Sequence, residues 1–294
     1  ADTSLTLALG GFSYGVSPLE MAGAYASFAA GGEYATPYFV RCITDSDGNA
    51  VYTKEDDRLR VMSEENAFIL TSMLQSAISE GTGRRLGELG LGLAGKTGTV
   101  GEGEGNRDAW MAAYSPQYSA CVWMGYDSSN DGALPGEATG GSYPALMLSR
   151  LYSYIYPSVQ DAPAFNVPEG IIEVKLDSYT LKEQHMSVLA NAFTPSDSTI
   201  KEYFALGTEP DASTSYWSVP SAVHGFGVSL SPEGIPVVKF NASESNAVYI
   251  LYRSKDGGQE EAVKKWNGGS GAVRYEDEGL APGTYTYHVV PVHA

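Results

Sequence analysis

The stretch that most constrains the fold is a pair of apolar runs separated by only four residues. The runs are "DAWMAAY" (108–114) and "SACVWMGYD" (119–127), and the link between them begins with "SPQ" (115–117). So short a link predicts an antiparallel hairpin. Another short apolar run, "LAGKTGTV" (93–100), precedes the hairpin, and the helical pattern "YPALMLSRLYSYIY" (143–156) follows it. Three strands and then a helix indicate an antiparallel sheet with helices packed on it, which is an α+β fold.

Two helices are predicted upstream of this sheet. The first follows Ser17, which serves as N-cap, has Pro18 at its first position, and uses Glu20 to complete a capping box. The second begins at Ser63, and acidic residues occupy its first turn, where the helix dipole favours them. Its apolar residues fall on one stripe that we expect in the core: Leu70, Met73, Leu74, Ala77 and Ile78.

The rest of the chain divides by composition. "PYFVRCITDSDGNAVYT" (37–53) predicts a hairpin around a polar turn. "TEPDASTSYWSVPSA" (208–222) is rich in Ser, Thr and Pro and is typical of a linker. Beyond it, short β-branched and aromatic runs alternate with glycine-rich turns, which favours a small all-β sandwich. We therefore expect three segments: 1–160, 161–219 and 220–294.

Charge and composition exclude several classes of protein. The 294 residues carry a formal net charge of -17, which disfavours binding to nucleic acid. The only cysteines, Cys42 and Cys121, are expected to be buried free thiols, although one disulfide is an alternative. The four histidines are scattered, with no pair at metal-ligand spacing. We expect no metal and no cofactor.

One glycine-rich stretch satisfies two motifs at once. Gly90 to Thr97 fits the phosphate-binding loop G-x-x-x-x-G-K-[ST], and Lys96 to Thr99 reads K-T-G-T. A phosphate loop requires a helix directly after it, but the glycine-rich "GEGEGNR" (101–107) follows here and predicts a loop. Asp127, at the end of an apolar run, is the one feature placed as a magnesium-binding acid would be. The K-T-G reading needs only a strand beside a groove, and Gly98 would let a ligand backbone approach it.

The wider sequence resembles the class A penicillin-binding proteins, the bifunctional peptidoglycan synthases. The resemblance runs through "LALGGFSYGVSPLEMAGAYASFAAGG", "SEGTG", "AGKTGTVGEGEGNRDAWMAAYSPQYSACVWMGYD" and "EYFALGTEPD", and covers roughly residues 5 to 211 in the family's order. It implies part of the penicillin-binding transpeptidase fold. The later stretch "GLAPGTYTYHVVPV" (279–292) resembles the last strands of fibronectin type III domains, with a final strand missing.

The resemblance implies D,D-transpeptidase chemistry on peptidoglycan stem peptides, and acylation by β-lactams of the same serine. It implies that Lys96 supplies positive charge beside the serine network of the active site. It also implies that Thr97 forms a hydrogen bond with the carboxylate of the peptide or β-lactam. Gly98 would line the substrate strand, and the backbone N–H of Thr99 would be an oxyanion-hole donor. Trp110, in "NRDAW", matches the family but is expected to be structural.

The family's nucleophile lies in an S-x-x-K motif, and an S-x-N motif assists it; both precede K-T-G. In this chain the only such motifs follow K-T-G: "SSN" from Ser128 to Asn130, and "STIK" from Ser198 to Lys201. We interpret both as chance matches, because their context is wrong. The nucleophile is therefore expected upstream of this chain, which alone should be inert.

Two alternatives stay open from the sequence. The acidic composition and the sandwich-like tail also suit a cell-surface binding or adhesion module, which would contact the wall or a protein through residues 220–294. The nucleotide hydrolase is the remote alternative. The resemblance implies a location on the extracellular face of the bacterial cell membrane, with the anchor in a segment outside this chain.

Overall fold

A computed structural model describes residues 5, 7, 10–12, 14–128, 131–218, 222–245 and 247–293. The chain forms two compact units: Ala1–Glu173 with Tyr203–Glu209, and Val174–Glu202 with Pro210–Ala294. The helices are α1 (Pro18–Ala29), α2 (Glu64–Ser79), α3 (Arg84–Gly87), α4 (Tyr143–Ile155) and α5 (Ser178–Gln184). The strands up to the central sheet are β1 (Glu33–Tyr34), β2 (Cys42–Thr44), β3 (Ala50–Thr53), β4 (Leu59–Arg60), β5 (Ala94–Glu102), β6 (Gly105–Tyr114) and β7 (Ser119–Gly125).

The first unit is built on an antiparallel sheet of order β5-β6-β7. Met111 and Ala113 of β6 lie in a core with Leu148 and Tyr152 of α4. Side chains alternate along a strand, so Tyr114 points to the other face, where its ring packs 6.1 Å from that of Tyr25 in α1. Helices therefore cover both faces of the sheet. The predicted α+β fold and the predicted antiparallel hairpin, whose link is residues 115–118, are confirmed.

The turn between β5 and β6 is tighter than the sequence predicted. Instead of a loop over 101–107, the two strands continue until Glu102 pairs with Gly105, and only Gly103 and Glu104 form the turn. Gly103 adopts a positive φ of 59°, which a hairpin turn requires and glycine supplies without strain. The loop prediction was wrong because pairing with β6 extends the strand through glycines that have no strand propensity of their own.

Helices α1 and α2 begin where the predicted N-caps place their starts. Ser17 and Glu20 form the full capping box of α1, and the Ser63 hydroxyl accepts a hydrogen bond from the Asn66 N–H at the start of α2. The predicted core stripe of α2 is partly wrong, because Met73 is 64% exposed. Ile78 is buried as predicted, and the other buried residues of the helix are Ala67 and Thr71.

The reason for this rotation of α2 lies in the sheet. Thr71 Oγ1 forms a buried hydrogen bond of 2.8 Å with Tyr114 Oη, and it also donates to the Ala67 carbonyl. The hydroxyl of Tyr114 needs a partner once it is buried. Thr71 therefore faces the sheet, and Met73, two residues further along the helix, points outward.

Further along the chain, β8 (Ile171–Asp177) and β9 (Thr199–Ala205) form a two-stranded sheet. The segment predicted as a linker is partly buried here. The Thr214 hydroxyl donates to the buried Asp177 carboxylate at 2.7 Å, and Trp217 is only 7% exposed. Asn191 Nδ2 donates to the carbonyls of Thr214 and Trp217. Polar composition suggested a free linker, but these contacts hold residues 214–217 in place.

Residues 224–293 form a sandwich, as the sequence predicted. Its strands are β10 (His224–Leu230), β11 (Pro236–Ala242), β12 (Ala247–Lys255), β13 (Glu260–Asn267), β14 (Gly271–Glu276) and β15 (Tyr285–His293). They form two antiparallel sheets of order β10-β11-β14 and β13-β12-β15. Val238 and Phe240 of one sheet share a core with Tyr249 and Leu251 of the other.

The two cysteines differ in exposure. Both thiols are free, but Cys42 is exposed and Cys121 is only partly buried, so the expectation of two buried thiols was wrong for Cys42. Cys42 lies on the exposed β2–β3 hairpin, where a pair of strands alone cannot enclose a side chain. None of the helices in the described ranges is both long and apolar enough to cross a membrane.

Candidate functional site

The K-T-G stretch lies in the middle of β5. Lys96 pairs with Ala112 and Thr97 with Met111 across the antiparallel β5–β6 ladder. β6 is the only strand paired with β5 among the described residues, so β5 is an edge strand. Lys96 and Thr97 therefore sit inside a strand, with no helix following them to hold a phosphate. This geometry removes the basis for the phosphate-loop reading.

The side chains of the motif divide between the two faces of β5. Lys96 is exposed, and its Nζ donates to the Thr97 carbonyl at 3.0 Å. Thr97 is half-buried, and Thr99 is exposed on the same face two residues further along. The motif thus presents one cation and two hydroxyl groups beside a free strand edge.

Thr82 is a neighbour of the motif that sequence reasoning missed. Its Oγ1 lies 2.5 Å from Thr97 Oγ1, in a hydrogen bond that either oxygen could donate. Thr82 stands in the turn between α2 and α3, within the stretch "SEGTG" that is part of the family resemblance. The detectable signal was a hydroxyl residue between two glycines fourteen residues before Lys96, but no local rule connects that position to the strand.

A second missed segment, Gly140 and Gly141, packs on the backbone of the motif. The Gly140 N–H donates to Thr99 Oγ1 at 3.1 Å. A Cβ at Gly140 would overlap the Trp110 carbonyl and lie 2.7 Å from the Gly98 carbonyl, and one at Gly141 would lie 2.7 Å from the Thr82 carbonyl. Only glycine permits so close an approach. These two residues therefore tie the turn at Thr82 to the strand at Gly98 and Thr99.

The hydrogen-bond pattern constrains which protons the threonines can offer. Thr99 Oγ1 already accepts from Gly140, so its own proton remains to be donated. In the Thr82–Thr97 pair, whichever hydroxyl accepts likewise keeps a proton for another partner. Available hydroxyl protons suit an anionic acceptor such as a carboxylate.

Trp110 lies across from Gly98 on β6. Its Cβ is 3.3 Å from the point a Gly98 Cβ would occupy, and its ring centroid is 6.1 Å from that of Trp123. Trp123 Nε1 donates to Asp108 Oδ1 at 2.8 Å. Trp110 thus packs beside the motif strand, which agrees with the structural role expected for it.

The S-x-x-K motif at Ser198 lacks the local geometry of a helical nucleophile site. Ser198 ends a single 3-10 turn (Ser196–Ser198), and Lys201 stands in β9, so "STIK" is not one turn of a continuous helix. Of "SSN", only Ser128 is among the described residues; Ser129 and Asn130 lie outside them. The described residues also contain no group of three or more His, Cys, Asp or Glu side chains that could hold a metal ion.

Comparison with known families places the chain. The model of the penicillin binding protein transpeptidase domain matches residues 2–153, just over half of the chain. The chain belongs to the penicillin-binding protein transpeptidase family. The model of the penicillin-binding protein 1A C-terminal domain matches residues 167–216. Together the two matches confirm the resemblance to class A penicillin-binding proteins.

The individual relatives that match this chain are also penicillin-binding proteins. Penicillin-binding protein 1A/1B of Bacillus subtilis (strain 168) is 29% identical over 304 residues, covering 97% of this chain and 32% of that protein. Penicillin-binding protein 1F of the same strain is 36% identical over 178 residues, covering 59% of this chain and 24% of that protein. The chain thus spans about a third or less of these penicillin-binding proteins. A solved structure of PonA1 from Mycobacterium tuberculosis in complex with penicillin V overlaps 50% of this chain and 39% of that chain, with 26% identity and a TM-score of 0.40.

Proposed function

We propose that Lys96–Thr99 form one wall of the acyl-transfer site of a peptidoglycan D,D-transpeptidase. The observation that carries the proposal is the K-T-G box on an edge strand, with the Thr97 and Thr99 hydroxyls on one face and the exposed Lys96 on the other. Membership of the penicillin-binding protein transpeptidase family supports it.

The reaction requires a nucleophile that we place in the longer protein, upstream of this chain. Its serine oxygen attacks the carbonyl carbon between the two terminal D-alanines, and that C–N bond breaks. D-alanine leaves with the serine proton, and the rest of the stem peptide remains as an ester on the serine. An amine of a second stem peptide then attacks the ester, which forms the cross-link and returns the proton to the serine oxygen.

In this scheme each residue of the wall has a separate task. The Lys96 cation would stabilise negative charge in the serine network, and the backbone N–H of Thr99 would stabilise the oxyanion that develops in the transition state. The Thr97 hydroxyl would donate to the terminal carboxylate of the peptide, or to that of a β-lactam. Thr82 and Gly140 would orient the two threonine hydroxyls through the hydrogen bonds described above.

The free edge of β5 explains how an extended peptide would be held. An edge strand offers unpaired backbone N–H and C=O groups, to which a stem peptide can add as a further strand. Gly98 removes the side chain at the point where the ligand backbone would approach. Backbone hydrogen bonds would thus align the substrate, and the threonine hydroxyls would bind its carboxylate.

We further propose that the sandwich of residues 224–293 is a fibronectin type III-like domain and that the whole protein works on the extracellular face of the cell membrane. Two three-stranded antiparallel sheets packed face to face support the domain assignment. The family membership supports the location, because the peptidoglycan substrate is outside the membrane. The three-segment division of the chain also remains part of this proposal.

The test is acylation by a labelled penicillin, followed by intact mass. This chain alone is expected to show no stable adduct, whereas a version extended upstream through the family's S-x-x-K motif should gain one penicillin per molecule. Lys96→Gln in the extended protein should reduce the acylation rate. An adduct on Ser198 or Ser128 of this chain, or none on the extended protein, would contradict the proposal.

A further inference from the structure

The edge strand of the sandwich contains a β-bulge that opens the outer face of its sheet. The register between β10 and β11 passes from His224–Asn241 to Gly227–Lys239, so two residues of β10 oppose Phe240 alone. Gly225 within the bulge has a positive φ of 69°. Bulges of this kind bend a strand and are common next to binding sites.

A cavity of about 320 Å³ lies at this bulge. It is lined by Gly225, by Lys239, Phe240 and Asn241 of β11, and by Ala272, Val273 and Arg274 of β14. A Cβ built at Gly225 or at Gly227 would meet no atom within 4 Å, so the glycines leave the space above Lys239 open. The volume is at the lower end of the range for small-molecule sites.

The wall of this cavity carries two cations directly opposite each other. Lys239 and Arg274 are cross-strand partners on β11 and β14, and both side chains are exposed on the same face. Like charges in this relationship destabilise a sheet. Arg274 also donates to Glu276 on its own strand, which offsets part of the charge. A pair of adjacent cations is notable in a chain whose formal net charge is -17.

We propose that this cavity binds a phosphate group. A phosphate near neutral pH carries between one and two negative charges and several acceptor oxygens, so it can contact Lys239 and Arg274 together. The amide of Asn241 lies on the same face and supplies a further donor. A carboxylate carries a single charge and matches the cation pair less well. This binding site is independent of the acyl-transfer wall on β5.

The experiment titrates the complete 294-residue chain with inorganic phosphate and follows backbone amides by two-dimensional NMR. Sodium chloride at equal ionic strength is the reference. We expect saturable shifts at Gly225, Lys239 and Arg274. Lys239→Gln and Arg274→Gln should each weaken binding at least tenfold, and Lys265→Gln, an exposed lysine on β13, should leave it unchanged.

A fourth variant separates shape from charge. Gly227→Leu places a side chain in the open space without removing a cation, and the backbone there requires no positive φ. It should also weaken phosphate binding. The spectra themselves show whether each variant is folded, so loss of binding in a folded variant supports the proposal.

Three further probes identify the source of the phosphate and test whether a carboxylate can replace it. Glycerol 3-phosphate represents a monoester, a glycerol phosphate oligomer represents a phosphodiester polymer, and acetate represents a carboxylate. Tighter binding of either phosphate compound identifies the source. The proposal is overturned if phosphate shifts are not saturable, if Lys239→Gln and Lys265→Gln behave alike, or if acetate binds as well as phosphate.

Discussion

Thr82 Oγ1 and Thr97 Oγ1 lie 2.5 Å apart, which joins the turn after α2 to the K-T-G strand. Fifteen residues separate the two threonines along the chain, and the turn is held in place by Gly141, whose backbone packs against the Thr82 carbonyl. Thr82 is thereby a fixed hydrogen-bond partner for the Thr97 hydroxyl, which we propose binds the substrate carboxylate. Its orientation depends on a residue outside the motif.

This relationship predicts the effect of Thr82→Val in the extended, acylation-competent protein. Loss of one hydrogen bond is worth about 0.5–1.5 kcal/mol, so the second-order rate of acylation by penicillin should fall by a factor of about 2 to 13. Thr82→Ser keeps the hydroxyl and should retain most of the rate. The measurement is stopped-flow or quenched acylation with a fluorescent penicillin. Equal rates for Val and Ser would show that Thr82 does not orient Thr97.

The buried Tyr114 predicts a loss of stability at alkaline pH. Burial raises the pKa of Tyr114 to about 12, although the hydrogen bond with Thr71 opposes part of that rise. The folded state therefore keeps a proton that the unfolded state releases near pH 10, so stability is full below pH 10 and decreases as the pH rises towards 12. The free energy of unfolding should fall by up to about 2–3 kcal/mol across this window.

The control for this prediction is Tyr114→Phe, which cannot ionise. Its loss of the Thr71 hydrogen bond should lower the free energy of unfolding at pH 7 by about 1 kcal/mol. Its stability should then decrease less steeply between pH 10 and 12 than that of the unmodified chain. Urea unfolding at each pH provides both values. Parallel pH profiles for the two proteins would mean that other tyrosines account for the decrease.

The two thiols should react at different rates. Cys42 is exposed on the β2–β3 hairpin, whereas burial raises the pKa of Cys121 to about 11. The thiolate is the reactive form, so iodoacetamide at pH 8 should modify Cys42 quickly and Cys121 slowly in the folded chain. Peptide mass mapping over time gives both rates. In urea the two rates should become similar, and comparable rates in the folded state would contradict the burial of Cys121.

The sandwich contains a buried ion pair whose removal should be costly. Arg253 Nη1 donates to Asp277 at 2.8 Å, and the Asp277 side chain is only 4% exposed. Asp277→Asn removes the buried carboxylate that pairs with Arg253 and should destabilise the sandwich by about 3–5 kcal/mol. Arg253 also contacts Glu261, but that side chain is 64% exposed. Glu261→Gln should therefore change stability by less than about 1 kcal/mol.

Hydrogen exchange of the β12 and β15 amides measures this difference within the sandwich itself. Both variants remove a carboxylate that contacts Arg253, but the Asp277 side chain is buried and the Glu261 side chain is exposed. A similar loss of protection in both would show that burial of Asp277 does not determine the strength of the pair.

Local patterns predicted the elements of the fold well where neighbouring residues decide the structure. The capping box of Ser17 and Glu20 set the start of α1, and the four-residue link at 115–118 favoured an antiparallel hairpin. They failed where a distant partner decides. Met73 was expected inside, but the hydroxyl of Tyr114 draws Thr71 to the sheet instead. Trp217 lies in a polar stretch, yet contacts with Asn191 hold its backbone and the side chain is buried.

The candidate site shows the same division. The sequence by itself determined that Lys96–Thr99 would lie on a strand, and that no helix would follow them, because these properties depend on residues within a few positions. Only the tertiary structure placed Thr82 against Thr97 and Gly140 against Thr99, across 15 and 41 residues. Such contacts depend on how α2, β5 and the segment before α4 pack together. Packing depends on the summed shape and burial of many side chains, which no local pattern in the sequence encodes.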